Sequence, residues 1–436
     1  MEEEKDKSAH VLVIPSPFPS HINPMLHFAD RLASKGLRAT LVVAIQNRGD
    51  IPKANPPPDA SASLEYISDG YDDALPSNFD VEIYKTTLQR VGSEKLLELI
   101  ARLTVEGMRP VCLIYDLALS WVLEIAHACC SVLDVLLLWP RSPDNPDMCV
   151  FFPGMPPLGL RDIPSFIAQR EGNPSILEMV LSQFKNMGKA DFVLVNSFDK
   201  LEEEVKKEMV EPWSPKMIGP ALPLAYLNDC LNWLDKRPVS SVVYVPFGSL
   251  AALPAEQMEE VAEALHSSKR PFLWVVKLPY AYQKGGNSLP EGFVEATSEQ
   301  GLVVPWCPQL DVLAHRAVGC FVTHCGWNST LEALSQGVPM VSVPQWGDQQ
   351  TNSKFVSDVW KTRTRVEIGD KGFVLRGELE RCIREVMEGE TGAHIRENAQ
   401  RWRDLTREAV AEGGSSDNNI NEFITKISIH EGDGNI

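Results

Sequence analysis

The stretch that decides the fold runs from Trp306 to Gln349 and reads WCPQLDVLAHRAVGCFVTHCGWNSTLEALSQGVPMVSVPQWGDQ. Within it, Gly319 to Thr323 is a short apolar run with the length of a buried strand. A helical pattern over Asn328 to Ser335 follows, and Met340 to Val343 is a second short strand. A strand, a helix and a strand in this order indicate a βαβ unit and therefore a parallel sheet.

The same alternation continues on both sides of this stretch. Short β-branched runs bounded by Pro, Gly or Asp predict strands at His10–Pro15, Ala39–Ile45, Val111–Tyr115, Phe192–Val195, Val242–Phe247, Phe272–Val276 and Leu302–Trp306. Helical patterns occur at Met25–Lys35, Ala255–Ser267, Gln350–Trp360, Thr391–Ala411 and Asn418–Ile427. The sequence therefore predicts an α/β fold with two parallel-sheet domains.

The length of 436 residues also favours two domains over a single small module. Regular structure is interrupted between them by Pro212, Pro215, Pro220, Pro223 and Pro238. We predict a first domain at 1–211, a linker at 212–240, a second domain at 241–411, and a helical tail at 412–436 that packs back on the first domain. Ligands of open α/β sheets bind at the carboxyl ends of the strands, so the cleft between the domains is the expected site.

The composition restricts the partners of the protein. Lysine and arginine number 41 against 59 aspartate and glutamate, a net charge of −18, which disfavours a nucleic-acid partner. We find no secretory signal, and the longest apolar stretch, Leu117 to Trp139, is interrupted by Glu124, His127 and Asp134. The nine cysteines form no Cys-x-x-Cys pair. These features predict a cytoplasmic protein without membrane insertion, and a monomer is the default.

Several catalytic motifs are missing from the sequence. It has no G-x-G-x-x-G fingerprint, Walker A loop, G-x-S-x-G elbow or H-E-x-x-H pair. Dehydrogenase, P-loop and zinc-protease functions therefore lose their main support. There is also no Asp-x-Asp pair to hold a divalent metal on a diphosphate. We expect neither a metal nor a cofactor.

Residues 306–349 resemble the signature box of the plant family 1 UDP-sugar glycosyltransferases, enzymes of plant secondary metabolism. Further similar segments are HINPM at His21, LIYD ending at Asp116, LVNSFDKLE around Asn196, FGSL at Gly248, LWVV at Leu273 and EGGSSDNN near Gly413. FVSDVW and REVMEGE look closest to the clade that glucosylates salicylate-like, auxin-like and terpenoid acceptors. The resemblance implies the GT-B fold, two facing Rossmann-like domains of which the first binds the acceptor and the second binds the UDP-sugar.

The resemblance also assigns the donor-binding residues. His324, Asn328 and Ser329 would contact the phosphates, Trp306 would stack on uracil, Gln309 would touch the nucleoside and Glu332 would accept from the ribose hydroxyls. Trp327, Asp348 and Gln349 would hold the sugar, glucose by analogy with relatives that have Gln at this position. Cys307, Gly326 and Ser249 complete the predicted donor-binding set. The turn into a helix at Asn328 independently suits a diphosphate, because backbone N–H groups at a helix N-terminus attract anions.

The catalytic pair that the resemblance implies is His21 and Asp116. His21 follows the first strand, and its ordinary pKa near 6.5 leaves much of the imidazole neutral, as a general base requires. Asp116 ends a later strand, where it would orient the imidazole and stabilise the imidazolium. The implied reaction is inverting transfer of glucose from UDP-glucose to a hydroxyl or carboxyl of a small lipophilic acceptor, giving a β-glucoside.

The loop before His21 and the segment after Ala128 depart from the family pattern. The loop before His21 reads Pro17-Phe18-Pro19-Ser20, where the family usually has a glycine just before the histidine. The segment after Ala128, about 129–150, is much shorter than in the family, and the expected acceptor-lining segment is not recognisable. A non-catalytic or impaired UDP-sugar-binding paralogue is therefore the alternative function, and a UDP-sugar epimerase or hydrolase is a third.

Overall fold

We describe the fold from a computed structural model. It describes residues 8–49, 51, 61–73, 80–127, 151–168, 174–184, 189–209, 215–222, 229–246, 253–276, 288–369 and 373–432. The predicted donor residue Ser249 and the shortened segment at 129–150 lie outside these ranges.

The elements follow one another in an alternating order of strands and helices. Up to residue 217 they are β1 (His10–Ile14), α1 (Pro19–Ser34), β2 (Arg38–Ala44), β3 (Ser63–Ile67), α2 (Val81–Val105), β4 (Cys112–Tyr115), α3 (Val122–His127), α4 (Ser165–Ala168), α5 (Pro174–Phe184), β5 (Leu194–Val195), α6 (Glu203–Glu208) and β6 (Lys216–Met217). From residue 229 they are α7 (Asp229–Asp235), β7 (Val242–Pro246), α8 (Ala255–Ser267), β8 (Phe272–Val275), α9 (Phe293–Ala296), β9 (Gly301–Val304), α10 (Gln309–Ala314), β10 (Val318–Thr323), α11 (Trp327–Gln336), β11 (Met340–Ser342), α12 (Gln349–Lys354), β12 (Arg363–Arg365), α13 (Arg376–Met387), α14 (Gly389–Val410) and α15 (Ser415–Gly432).

The first compact unit comprises the described residues within 1–140, 173–224 and 409–436. Its main sheet has the strand order β3-β2-β1-β4 with parallel neighbours, and β5 and β6 form a separate parallel pair. Strand β1 is fully buried, and its side chains pack with those of α1 and β2. Ile420, Phe423 and Ile427 of α15 pack in the same core, so the last helix is an integral part of this unit.

The second unit comprises the described residues within 141–172 and 225–408. Its parallel sheet has the order β12-β11-β10-β7-β8-β9. Side chains of β7, β8, β10 and β11 form one core with helices α8 and α13. Because the strands of this sheet are parallel, the loops after β9, β10 and β11 all leave its carboxyl edge, where they can carry binding residues.

The unit boundaries differ from the predicted domain boundaries. Residues 151–168 belong to the second unit, although we predicted them in the first domain. The reason is a set of hydrogen bonds: Ser165 N donates to Gly347 O at 2.9 Å, and Thr351 Oγ1 donates to Asp162 O at 2.7 Å. Part of the predicted linker also forms the helix α7. This helix packs on α10, and its last residue, Asp235, is 3.2 Å from His315.

The predicted α/β class with parallel sheets is confirmed, and most predicted strands lie within two residues of the observed ones. Helix α1 begins at Pro19, six residues before the predicted start, because proline is tolerated at the first helical position. Strand β3 and helices α2 and α13 were not predicted. Of the helices that the structure describes, none is long and apolar enough to cross a membrane.

Candidate active site

His21 and Asp116 meet in the first unit. His21 lies in the first turn of α1, where its backbone N–H donates to Phe18 O at 2.8 Å. Asp116 directly follows β4, which pairs with β1, so both residues leave the same edge of the sheet. The distance from His21 Nδ1 to Asp116 Oδ2 is 2.6 Å. The other carboxylate oxygen, Oδ1, accepts from Ala118 N at 2.9 Å. One carboxylate oxygen of Asp116 thus stabilises the turn after β4, and the other orients the imidazole of His21.

The environment of this pair sets its charge. Burial lowers the pKa of His21, but the hydrogen bond and negative charge of Asp116 outweigh it and raise the pKa above its ordinary value. Burial raises the pKa of Asp116, and its bonds to His21 and Ala118 outweigh that and lower it. The His21 side chain is 42% exposed. Since Nδ1 faces the carboxylate, Nε2 is the nitrogen left to accept a proton from a bound molecule.

A row of aromatic rings begins beside His21. The Phe18 ring lies 6.2 Å from the rings of both His21 and Tyr84, and the Tyr71 ring lies 5.4 Å from that of Tyr84. The Tyr84 hydroxyl donates to Asp69 Oδ2 at 3.3 Å. This row forms an aromatic wall that meets His21 through Phe18, and such a wall suits a lipophilic molecule.

A second group of predicted residues meets in the second unit. Gln309, the first residue of α10, donates from Nε2 to Glu332 Oε2 at 2.6 Å and to Ser329 Oγ at 3.0 Å. Tyr244 of β7 lies beneath them, with its hydroxyl 3.2 Å from Cys307 Sγ. Strands β7, β9 and β10 bring these residues to one edge of the sheet.

The exposure and charge of Trp306, Glu332 and His324 suit a nucleotide site. Trp306 follows β9 and is 53% exposed, so its ring face is open to stack on a base. Burial raises the pKa of Glu332 to about 7, against a smaller opposing effect of its hydrogen bond from Gln309. Burial lowers the pKa of His324 to about 4, so this imidazole is neutral at physiological pH. Its Nδ1 is buried without a hydrogen-bond partner in the structure.

In the turn between β10 and α11, the backbone at Gly326 passes close to the ring of His324. Gly326 is the N-cap of α11, and a Cβ atom at this position would lie 2.5 Å from Nε2 of His324. Asn328 and Ser329 lie in the first turn of α11, at the positive end of the helix dipole. Trp327 is also in this turn, but its ring packs at 6.2 Å from the ring of Trp360. The structure therefore gives Trp327 a packing role in addition to any contact with a ligand.

Asp348 and Gln349 lie at the start of α12, and hydrogen bonds from nearby residues hold both side chains. Asn352 Nδ2 donates to Asp348 Oδ2 at 2.7 Å and to Cys325 O at 3.0 Å. Gln349 Oε1 accepts from the backbone N–H groups of Gln345 at 2.8 Å and Trp346 at 3.1 Å. Asp348 occupies the N-cap position of α12 without making a side-chain cap hydrogen bond. Its carboxylate is thus positioned by Asn352 rather than used as a helix cap.

Two residues without a predicted role connect the predicted ones. Tyr244 and Asn352 are buried, and each has a polar atom directed at a predicted donor residue. The sequence offers two signals for them. Tyr244 is a tyrosine in an otherwise aliphatic strand, and Asn352 lies four residues after Asp348 in a helical segment. In the described part of the chain, no three His, Cys, Asp or Glu side chains are arranged to hold a metal ion.

Comparison with known proteins identifies relatives over nearly the whole chain. Residues 228–403 match the family model described as UDP-glucoronosyl and UDP-glucosyl transferase. UDP-glycosyltransferase 74E2 of Arabidopsis thaliana is 39% identical over 459 residues, covering 96% of this chain and 99% of that protein. A chloroplastic crocetin glucosyltransferase of Gardenia jasminoides is 38% identical, covering 95% of this chain and 96% of that protein.

Solved structures agree with these matches. The crystal structure of Os79 from O. sativa in complex with U2F and trichothecene has a TM-score of 0.85 and 37% identity, covering 96% of this chain and 100% of that chain. This similarity shows the α/β fold class with parallel sheets of the GT-B type. The alignment with the Arabidopsis protein, at 459 positions, is longer than the 436 residues of this chain, so that relative has residues that are missing here.

Proposed function

Because the chain belongs to the plant family 1 UDP-glycosyltransferases, we propose that it transfers glucose from UDP-glucose to a hydroxyl or carboxyl group of a small lipophilic acceptor. The reaction inverts the anomeric centre and gives a β-glucoside. The observation that carries this proposal is the 2.6 Å hydrogen bond between His21 Nδ1 and Asp116 Oδ2. It supports the assignment of a base with an orienting carboxylate, because the two side chains meet despite the unusual Pro17-Phe18-Pro19-Ser20 sequence before the histidine.

His21 acts on the acceptor. Its Nε2 takes the proton from an acceptor hydroxyl as the oxygen attacks the anomeric carbon, and it helps to position an acceptor that is already a carboxylate. Asp116 holds the imidazole in the tautomer with the proton on Nδ1 and stabilises the imidazolium that forms. The rings of Phe18, Tyr71 and Tyr84 favour an apolar acceptor body beside this base.

The second unit binds the donor and stabilises the leaving group. The Trp306 ring stacks on uracil, and Gln309 and Glu332 bind the nucleoside, Glu332 by accepting from the ribose hydroxyls. His324, Asn328, Ser329 and the first turn of α11 stabilise the charge that develops on UDP, without a metal ion. Asp348 and Gln349 hold the sugar hydroxyls. Attack in line with the departing UDP turns the α-linked donor into a β-glucoside.

We also propose a class of acceptor and a subcellular location for the protein. Similarity to the relatives and the aromatic wall support phenolic, carboxylic or terpenoid acceptors of the salicylate-like and auxin-like kind. None of the cysteines described by the structure is in a disulfide, which supports a reducing compartment such as the cytoplasm. One relative is named chloroplastic, so a plastid is the competing location.

Mass spectrometry of reaction products tests the proposal. The pure protein and its His21→Ala variant are incubated with UDP-glucose and a panel of phenolic, carboxylic and terpenoid acceptors. We expect one acceptor class to gain the mass of a hexose with the unaltered protein and not with the variant. The anomeric proton coupling of the product, read by NMR, then distinguishes a β-glucoside from an α-glucoside.

A non-catalytic UDP-sugar-binding role is the second candidate. It is favoured by the residues that the 74E2 relative has and this chain lacks. Under this alternative the protein binds UDP-glucose, measured by calorimetry, and glucosylates no acceptor of a wide panel. Release of glucose without an acceptor would instead indicate a hydrolase.

A further inference from the structure

A segment outside the signature box contacts the loop that ends the box. Ser165 is the first residue of α4, and Gly347 lies between Trp346 and Asp348. Gly347 N donates to Ser165 Oγ at 2.7 Å, and Ser165 N donates to Gly347 O at 2.9 Å. Both backbone polar groups of Gly347 are thus bonded to one residue that lies far away in the sequence.

A second set of contacts fixes the same segment to α12. Thr351 Oγ1 donates to the backbone oxygen of Asp162 at 2.7 Å. Lys354 Nζ lies 3.6 Å from Asp162 Oδ2, and that oxygen accepts from Gly159 N at 3.1 Å. The Asp162 side chain is 8% exposed and the neighbouring Ile163 is buried, so the segment is anchored in the unit. The contacts occur on both sides of the loop, before and after Asp348 and Gln349.

The loop depends on such support because Gly347 has a left-handed backbone conformation, with φ of +73°. Glycine has more conformational freedom than any other residue, so without partners its backbone samples many orientations. The directions of the Asp348 and Gln349 side chains follow from this backbone. A displacement of about 1 Å at a binding group is enough to weaken a directed hydrogen bond.

We propose that Ser165 is a positioning residue, which holds the Trp346–Gln349 loop in the geometry that binds the sugar of the donor. The inference rests on the proposed function, in that Asp348 and Gln349 are the sugar-binding residues. This role predicts that a change at Ser165 weakens the binding of UDP-glucose more than the binding of UDP. Removing the Ser165 hydroxyl leaves Gly347 N without its acceptor and loosens the sugar-binding loop, whereas the UDP-binding residues Trp306, Gln309 and Glu332 keep all their own contacts.

The experiment compares binding of UDP-glucose and of UDP by isothermal titration calorimetry. In Ser165→Ala we expect the Kd of UDP-glucose to rise roughly fivefold, the loss of about one hydrogen bond, while the Kd of UDP stays within about twofold. Ser165→Thr keeps the hydroxyl and should restore the wild-type ratio of the two Kd values. Thr351→Val, which removes the hydroxyl that binds Asp162 O, should change the ratio in the same direction.

Ser298→Ala is the matched control. It is the same substitution in the same unit, and it removes a hydroxyl that donates to Glu295 O at 3.0 Å on an exposed surface just before β9. We expect this variant to keep the wild-type ratio. An unchanged ratio in Ser165→Ala would overturn the proposal, and so would an equal loss of affinity for UDP and UDP-glucose, which indicates general damage to the unit.

Failure of the proposed function gives a different result. If the unaltered protein binds UDP-glucose and forms no glucoside, the transfer proposal is wrong, and the ratio of Kd values still tests Ser165. If Ser165→Ala forms glucoside with wild-type kcat and KM, transfer is established and the positioning role is wrong.

Discussion

Two histidines of this protein occupy opposite environments. His21 in the first unit has a carboxylate partner 2.6 Å away, and the net effect raises its pKa. His324 in the second unit is buried without a charged partner, and its pKa falls to about 4. The first imidazole is thus set to take a proton and the second to stay neutral. Environment, rather than residue type, separates a base from a neutral hydrogen-bonding group.

The two sites also differ in how the sequence encodes them. The proposed donor-binding residues that the structure describes come from one continuous stretch, Trp306 to Gln349, which contains β10 and β11 and begins just after β9. His21 and Asp116 are separated by 95 positions and meet only because β1 and β4 are neighbours in the sheet. A change in the first site should therefore affect proton transfer, and a change in the second should affect donor binding.

The largest effect is expected for His21→Ala. The variant lacks the proposed base, so we predict that kcat for glucoside formation falls by roughly 10²- to 10⁴-fold. The Kd of UDP, measured by calorimetry, should stay unchanged because His21 lies outside the nucleotide-binding residues. An equal loss of UDP affinity would contradict this division between the units.

Asp116→Asn should have the next largest effect. The amide still accepts from Ala118 N, but it removes the negative charge that raises the pKa of His21. We predict a kcat lower by roughly 10- to 100-fold, because the imidazolium is less stabilised. The neutral base now persists to lower pH, so the acidic limb of the kcat/KM profile should move to lower pH. A limb that stays in place would show that His21 is not the titrating group.

Glu332→Gln should weaken donor binding by roughly tenfold, since a charge-assisted acceptor of the ribose hydroxyls is lost. In the donor-free protein burial raises the pKa of Glu332 to about 7, and hydroxyl donors favour its ionised form. The affinity for UDP-glucose should therefore fall as pH decreases from 8 to 6 in the wild type. In the variant it should be nearly constant over this range. Calorimetry at several pH values measures both, and a similar pH dependence in the two proteins would exclude Glu332 as its source.

The smallest effect is expected for Tyr244→Phe. The substitution removes a buried hydroxyl that contacts Cys307 and Gln309 but keeps the ring stacked on Phe321 at 5.4 Å. We predict a loss of about 1 kcal/mol in the free energy of unfolding and a roughly twofold rise in the Kd of UDP. Denaturant unfolding and calorimetry measure the two. A reduced kcat at saturating donor would mean that Tyr244 does more than support Gln309.

The sequence predicted the elements and residues whose signals are local. Most strands of both parallel sheets and the turn at His324 follow from short apolar runs and from residues next to one another in the chain. Helix α2 was missed because its apolar residues do not form one clear face. Strand β3 was missed because it is an edge strand whose residues remain half-buried or exposed.

What the sequence could not show are contacts between segments that are distant along the chain. The bonds between Ser165 and Gly347 and the placement of residues 151–168 in the second unit depend on tertiary packing. Asn352 was assigned to a helix, but its contact with Cys325 O requires the loop after β10 to be in place. The Pro17–Ser20 loop departs from the family pattern, and the sequence could not show that Pro19 begins α1 and leaves His21 beside Asp116.

The proposed roles depend on pKa values that are shifted in opposite directions, upward for His21 and downward for His324. An NMR titration of the imidazoles tests these shifts most directly. The protein, which has nine histidines, is labelled at the imidazole carbons, and the two signals are assigned from His21→Ala and His324→Ala. We predict that His21 titrates above pH 6.5 in the wild type and at lower pH in Asp116→Asn, while His324 stays neutral down to about pH 5. A His21 signal that titrates below pH 6.5 and does not respond to Asp116→Asn would contradict the base assignment.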